Sequence, residues 1–414
     1  MHGGHIIVAL GEQWSIEELP AVEVRFGMGL LPTRRVLGGL GGVALSLVMV
    51  TGVSAAPPTW QSPMVLRMSD RFLSPTDAAF SDSGVVAVWT EENFGTGASR
   101  VGFKVSDDSG ATFGSIHLIS SATDGAAAIC GDIAKVVVAR RTGPSTWTIE
   151  VATGDINTDV FVRSSVETSS VELREPDVAC TDGRIFVSWK EEVDAETSRM
   201  FVASARLSDG VFGAPMALGL TDKHFPTGLQ LAGSGDTAYA AFIKLDPRLR
   251  VKRWFVGPGP VYALTTEPPV IVGPGTTNRP AYEPYIDADG DFVALTWSRC
   301  SHTLARVSTD AGDTWGPTRI VEEFGCNVED AFSSPRAMHV RDSRSALTFN
   351  ISGIPNASLD YLARSPDGFN TVKKSLLGEH EDHMVGFVVV SGVVKFADVF
   401  SGPNGHRIKF RRQV

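Results

Sequence analysis

The chain has 414 residues, with 37 Lys+Arg against 47 Asp+Glu and a formal net charge of -10. Nucleic acids and anionic membranes reward basic patches, so this balance argues against both as partners. With 43% apolar and 20% charged residues the composition is too ordered for a disordered chain, and its 42 Gly and 23 Pro suit many short strands joined by tight turns.

The first element is an address. Residues 36–56 (VLGGLGGVALSLVMVTGVSAA) form an apolar run behind Arg34 and Arg35 and end in the small residues Val53-Ser54-Ala55. A charged start, an apolar middle and a small-x-small end describe a secretory signal peptide, here cleaved near Ala55. Residues 1–55 are therefore read as an export signal region and residues 56–414 as a single domain. Met28 opens a more conventional signal, MGLLPTRRVLGG, which makes it a candidate start site. The segment Thr33-Arg34-Arg35-Val36-Leu37 resembles a twin-arginine export motif, and a Sec signal fits equally well. An uncleaved anchor is the alternative, but Gly38, Gly39, Gly41, Gly42 and Gly52 weaken a spanning helix. The expectation is a secreted or extracytoplasmic monomer with no stable membrane insertion once the signal is removed.

After the signal the sequence repeats itself. Apolar runs followed by a polar break recur at residues 85–91, 135–141, 184–190, 237–244, 291–298, 345–350 and 393–400. Trp89, Arg140, Trp189, Phe242, Trp297, Phe349 and Val399 mark equivalent places, about 50 residues apart. Each marker run follows a Gly/Asp-type turn and precedes a variable loop and another strand, such as 99–106, 200–208 or 303–309. Seven copies of four short strands predict an all-β fold, a seven-bladed β-propeller of four-stranded blades. The last copy stops after its third strand, at 407–414. The segment Thr59-Trp60-Gln61-Ser62-Pro63-Met64-Val65-Leu66 matches the start of a fourth strand elsewhere. The ring should therefore be closed by the mature N-terminal strand, which removes open edges.

The turn between third and fourth strands carries a family resemblance. Ser106-Asp107-Asp108-Ser109-Gly110-Ala111-Thr112-Phe113 and Ser308-Thr309-Asp310-Ala311-Gly312-Asp313-Thr314-Trp315 resemble the Asp box (BNR repeat), Ser-x-Asp-x-Gly-x-Thr-aromatic, of the sialidase superfamily. Shortened copies are read at Ser208–Phe212 and Ser365–Phe369, and the resemblance covers residues 59–414. In such a turn the Asp accepts backbone N–H bonds and the Gly adopts positive φ, while the aromatic packs between sheets. The resemblance implies that this turn lies opposite the active face, so Asp108 and Asp310 are architectural.

A site would be built by the loops entering each innermost strand and those between second and third strands. The first set contains Asp77, Asp124, Arg174, Glu175, Asp177, Asp222, His224, Arg279, Tyr282, Glu283, Glu329, Asp330, Arg336, Glu379, His380, Glu381, Asp382 and His383. Ligand contacts are expected from Arg174, Arg279, Tyr282, Arg336, His380 and His383. The resemblance implies, for a sialidase, three arginines, a Tyr nucleophile activated by Glu, and an Asp acid/base. Its Arg-Ile-Pro motif is missing, with Arg71 the nearest stand-in, and the sialidases have six blades rather than seven. Only Tyr282 and Tyr285 fall near the axis. Tyr282 and Glu283, adjacent on an extended segment, should point to opposite faces.

Another glycosidase needs two carboxylates, for which Asp177, Glu283, Glu329, Asp330 and Asp382 are the candidates. A polysaccharide lyase with His380 or His383 as base is a further option. No metal or other cofactor is expected. His380-Glu381-Asp382-His383 reads as a polar loop, and Asp287-Ala288-Asp289-Gly290-Asp291 as a tight turn despite a calcium-like look. Of the four cysteines, Cys130 and Cys180 end adjacent innermost strands and are expected to pair. Cys300 and Cys326 are expected to pair on the loop-rich face. The functional expectation is a sialidase-like propeller that binds glycans or another extracellular polymer through its loop-rich face. A glycan-cleaving enzyme and a protein-interaction scaffold are the alternatives.

Overall fold

The runs VVAVW, KVVVA, RIFVSW, AYAAF, FVALTW, ALTF and VKFADV are too rich in β-branched and aromatic residues to favour helices, and apolar enough to be covered on both faces. In the computed structural model each becomes the second strand of a four-stranded antiparallel sheet. These strands are Val85–Asn93, Ile133–Gly143, Arg184–Glu192, Thr237–Ile243, Phe292–Arg299, Arg344–Ile354 and Val393–Ser401. The structure describes residues 59–414 other than 83, 224–227, 258–263, 274–280, 300–301, 324–331, 355–356, 380–381 and 403–404. It describes the backbone alone at 264, 332, 352–354, 357–358 and 378–379. Residues 1–58, where an export signal is expected, lie outside these residues. Among the described residues no helix is long and apolar enough to cross a membrane.

The innermost strands are Phe72–Phe80, Ala122–Cys130, Leu173–Cys180, Leu229–Ser234, Ala281–Asp289, Phe332–Arg341 and His383–Val390. Each pairs with the second strand of its own blade, and the seven blades form the predicted ring. In the fourth blade the outer position is shared by two short strands, Leu264–Thr266 and Val270–Gly273. They pair with successive parts of Leu249–Val256. Seven apolar layers, one between each pair of neighbouring blades, make up the core. Six of the seven marker residues sit in these layers at 1% exposure or less, the exception being Arg140. Arg140 turns outward and pairs with Glu150 at 2.9 Å.

Ring closure follows the sequence reading. Met64–Met68 is the outer strand of the seventh blade, pairing antiparallel with Arg407–Arg412 in the register Met64 to Phe410 and Met68 to Arg407. Leu66 is buried in the layer between the seventh and first blades. The Arg411 guanidinium lies over the rings of Trp60 and Phe400, at 4.6 and 4.5 Å.

The Asp-box turns are closed hydrogen-bonded units. Ser106 Oγ donates to Asp108 Oδ1 at 2.8 Å and accepts the Gly110 N–H, while Asp108 accepts the Thr112 N–H and hydroxyl. Ser308, Asp310, Gly312 and Thr314 repeat the pattern. Gly110 has φ 80° and Gly312 has φ 84°, a region that side chains avoid. The copy at Ser365 is not shortened. Phe369 occupies the Gly position at φ 65° and gives its N–H to Ser365 Oγ, and Thr371 gives its N–H to Asp367. The box aromatic is replaced here by Val372, and the Phe369 ring fills the layer between fifth and sixth blades instead. The Ser208 copy keeps only a local turn, with the Val211 N–H on Asp209.

The Cys130–Cys180 bridge joins the ends of the second and third innermost strands, with the Cα atoms 5.6 Å apart. Cys300 and Cys326 lie outside the described residues.

Candidate functional site

Seven innermost strands converge on an axial cavity of about 490 Å³. They do not enter it as regular strands. At the loop-rich end the ladder slips between Pro75 and Asp77, Ala122 and Asp124, Arg174 and Asp177, Tyr282 and Tyr285, and Pro335 and Ala337. Such bulges re-aim side chains and strengthen the local twist. Two of them share a Glu-Pro pair: Glu175 and Glu283 both sit at φ 47°, ahead of Pro176 and Pro284. The left-handed bend at Glu283 interrupts the pleat, so the strict alternation expected for Tyr282 and Glu283 does not apply to this segment.

Below the bulges the wall is acidic. Asp77 accepts the N–H of Ala78 at 2.8 Å and, across the blade boundary, the N–H of Ala127 at 2.7 Å. Asp177 accepts those of Val178 at 2.8 Å and Leu231 at 2.6 Å. Asp287 accepts those of Ala288 at 2.9 Å and Val340 at 2.6 Å, and meets His339 Nδ1 at 2.9 Å. These carboxylates clasp the first blade to the second, the third to the fourth, and the fifth to the sixth. Asp124 accepts the Gly125 N–H and faces Glu175, whose own carboxylate is held by Lys190 at 2.6 Å.

Withdrawal from water and mutual repulsion act together on this set. Burial pushes Asp77 up to about 6, with the Asp287 charge adding to it. Burial and then Glu175 push Asp124 up to about 7, and burial and then Asp77 push Asp177 up to about 8. At the mouth, burial also raises Glu283, against the pull of the Arg336 charge. Arg336 is exposed on the rim and has no ion-pair partner among the described residues. At the far end, on the Asp-box face, Arg341 is paired with Asp82.

The sequence-nominated residues scatter over several places. Asp177 and Arg336 line the axial cavity, although both Asp177 oxygens are occupied by backbone N–H groups. Glu283 stands at the bulge above it. Arg174 is clasped between Glu172 at 2.8 Å and Glu192 at 2.7 Å, beside a separate surface pocket. Asp382 accepts the Ser74 hydroxyl at 3.0 Å, tying the seventh blade to the first. His383 is buried, stacks on Phe400 and meets Asp398 at 3.0 Å, with Arg411 on the same carboxylate. Burial pulls the His383 pKa down, but Asp398 outweighs it and leaves it raised. Tyr282 pairs with Ser298 in its ladder. Arg279, Glu329, Asp330 and His380 lie outside the described residues.

Sequence reasoning placed Asp77 and Asp124 among the loop residues without nominating them, and it passed over Lys190. The signal for the acids was present. Asp77-Ala78-Ala79, Asp124-Gly125-Ala126 and Asp177-Val178-Ala179 put an acid before two small or apolar residues at the same place in three consecutive copies. The sequence pattern places Asp287 in a tight turn. It lies on an innermost strand, with the turn itself made at Gly290, φ 58°. Among the described residues no group of three or more His, Cys, Asp or Glu side chains is arranged to hold a metal ion.

No family model and no curated protein matches this sequence. Similar folds occur among solved structures. Pyrococcus horikoshii acylaminoacyl peptidase is 11% identical over 84% of this chain and 54% of its own, with a TM-score of 0.47. The β-propeller domain of the Trilobed protease from Pyrococcus furiosus is 12% identical over 82% and 93%, with a TM-score of 0.45. Trypanosoma rangeli sialidase is 10% identical over 85% and 59%, with a TM-score of 0.44. The chain thus spans little more than half the length of the peptidase and the sialidase. By its own blades and their closed Ser/Asp/Thr turns, it is a seven-bladed β-propeller.

Proposed function

We propose that this is an exported binding propeller that takes a glycan or another extracellular polymer at the mouth of its axial cavity. The observation that carries the reading is the make-up of that mouth. Thr76, Tyr285, Arg336 and the Lys190-bound Glu175 line one opening from four blades, with Glu283 at the bulge above it. The cavity falls within the usual range for ligand pockets, roughly 300–1,000 Å³. Polyhydroxylated ligands are recognised by such convergent donors and acceptors. The arginines argue against a sialidase arrangement. Arg174 is consumed by Glu172 and Glu192, which leaves Arg336 as the described arginine at the mouth.

One observation favours a second reading, a glycan-cleaving enzyme. Glu283 stands at the bulge of the mouth, where burial raises it against the pull of Arg336, and a general acid must hold its proton near neutrality. A glycan and polysaccharide panel, sialosides included, separates the two when retention and released reducing or unsaturated ends are both recorded. The binding reading expects retention without products, weakened roughly tenfold or more by Arg336→Ala, as for a lost charged hydrogen bond. Product release abolished by Glu283→Gln would replace it with the enzymatic reading. Neither retention nor products would leave the loop-rich face as a protein-interaction scaffold.

A further inference from the structure

The axial acids have another consequence, independent of any ligand. Asp77, Asp124 and Asp177 come from three consecutive blades and line one cavity. Of the cations around them, Lys190 is engaged with Glu175, His339 with Asp287 and Arg341 with Asp82, while Arg336 stands exposed at the rim. Among the described residues, none of the three acids has an ion-pair partner. The groups that face them are of two kinds. Asp77 meets the N–H groups of Ala78 and Ala127 and the charges of Asp287 and His339. Asp124 meets the Gly125 N–H together with Glu175, Asp77 and Lys190, and Asp177 meets the Leu231 and Val178 N–H groups together with Asp77 and Asp124. Backbone donors hold each carboxylate in place, while the charges around Asp124 and Asp177 are mostly other carboxylates. In the neighbouring seventh blade, His383 is enclosed with Asp398, Asp360 and Arg411, where two acids face one imidazole and one guanidinium.

We propose that the ring is a proton-stabilised fold, in which mild acidification relieves repulsion at the axis and strengthens the closing blade, fitting the protein to an acidic medium. Both places act with the same sign. An axial Asp holds its proton in the folded state at a pH where the unfolded chain has lost it, so unfolding releases protons and stability rises as pH falls through that window. A histidine whose folded state prefers the proton contributes fully below its ordinary pKa of about 6.5 and loses that contribution as pH rises. Ordinary paired carboxylates behave in the opposite way, losing stability on acidification.

Thermal unfolding of the full chain between about pH 8 and pH 5 tests this. The midpoint should climb by about 2 °C per pH unit for each proton released, given the unfolding entropy expected at this size. Asp124→Asn, which removes one of the repelling charges, should raise the midpoint at the alkaline end and flatten the climb. Calorimetric unfolding near neutrality, in buffers of different ionisation enthalpy, should show net proton release from the unmutated protein, and this readout needs no variant to fold. A midpoint that is level or falls on acidification, or unfolding without proton release, overturns the proposal.

Discussion

Removing the Cys130–Cys180 bridge should lower the thermal midpoint without altering the native blades. The bridge closes a loop with a sequence separation of 50. In the chain-entropy picture a loop of that length restricts the unfolded ensemble by about 4 kcal/mol. A chain of this size has an unfolding entropy that converts such a loss into about 5 °C. The bridge joins only two of seven blades, and these are also held by the apolar layer containing Val137, Val178, Val187 and Trp189. The native state should therefore survive. The assay is thermal and urea unfolding of the oxidised protein beside Cys130→Ala/Cys180→Ala, with near-ultraviolet circular dichroism as a check on packing. The denaturant slope should increase, because an unbridged unfolded chain exposes more surface. A midpoint unchanged by the double substitution would refute the entropic argument. So would a loss accompanied by an altered native spectrum, which would place the effect in the folded state.

Other outcomes follow from the turns and the closure. Gly110→Ala should destabilise by about 1–3 kcal/mol, because φ is 80° and a β-carbon would collide with the Phe410 ring; denaturant unfolding measures it. Phe369→Gly should also destabilise despite relieving a positive φ, since burying an aromatic side chain outweighs roughly 1 kcal/mol of backbone strain. A more stable variant would show that the ring contributes little packing there. Trp189→Ala should cost about 3–5 kcal/mol by opening a cavity between the second and third blades, read from the urea midpoint. Asp310→Ala should weaken its turn by roughly 1–3 kcal/mol while leaving glycan retention untouched, because the turn lies on the face opposite the mouth. A loss of retention in the folded variant would contradict that placement.

The ring was legible because its second strands are buried on both faces, which leaves the same apolar run in every copy. Trp89, Trp189 and Trp297 report a blade boundary directly. The axis was harder to read. Five of the seven innermost strands are bulged, and the bulge at Glu283 breaks the alternation on which side-chain direction rests. Asp177 was found as an acid near the axis, but its role as a clasp depends on the Leu231 N–H, which belongs to another blade. A contact between copies leaves no local pattern. The third Asp box was half visible for a different reason. Phe369 takes a backbone conformation normally reserved for glycine and supplies the aromatic bulk that Val372 lacks, so two departures from the motif compensate each other. His383 looked like a ligand because it sits in a charged run, whereas its neighbours Phe400 and Asp398 enclose it.

The strand that completes the seventh blade is the earliest of the ring to be synthesised, and its partner is the last. Met64–Met68 must wait for Arg407–Arg412 before any of its ladder bonds can form. Until then the seventh blade lacks its rim, and Leu66 and Trp60 have nowhere to be buried. A chain ending before Arg407 would forfeit two strands rather than one, and the opening would fall at the outer edge of the layer that Leu66, Ile408 and Phe410 share with the first blade. Closure of the ring at its seam thus waits on the last strand of the ring to be made.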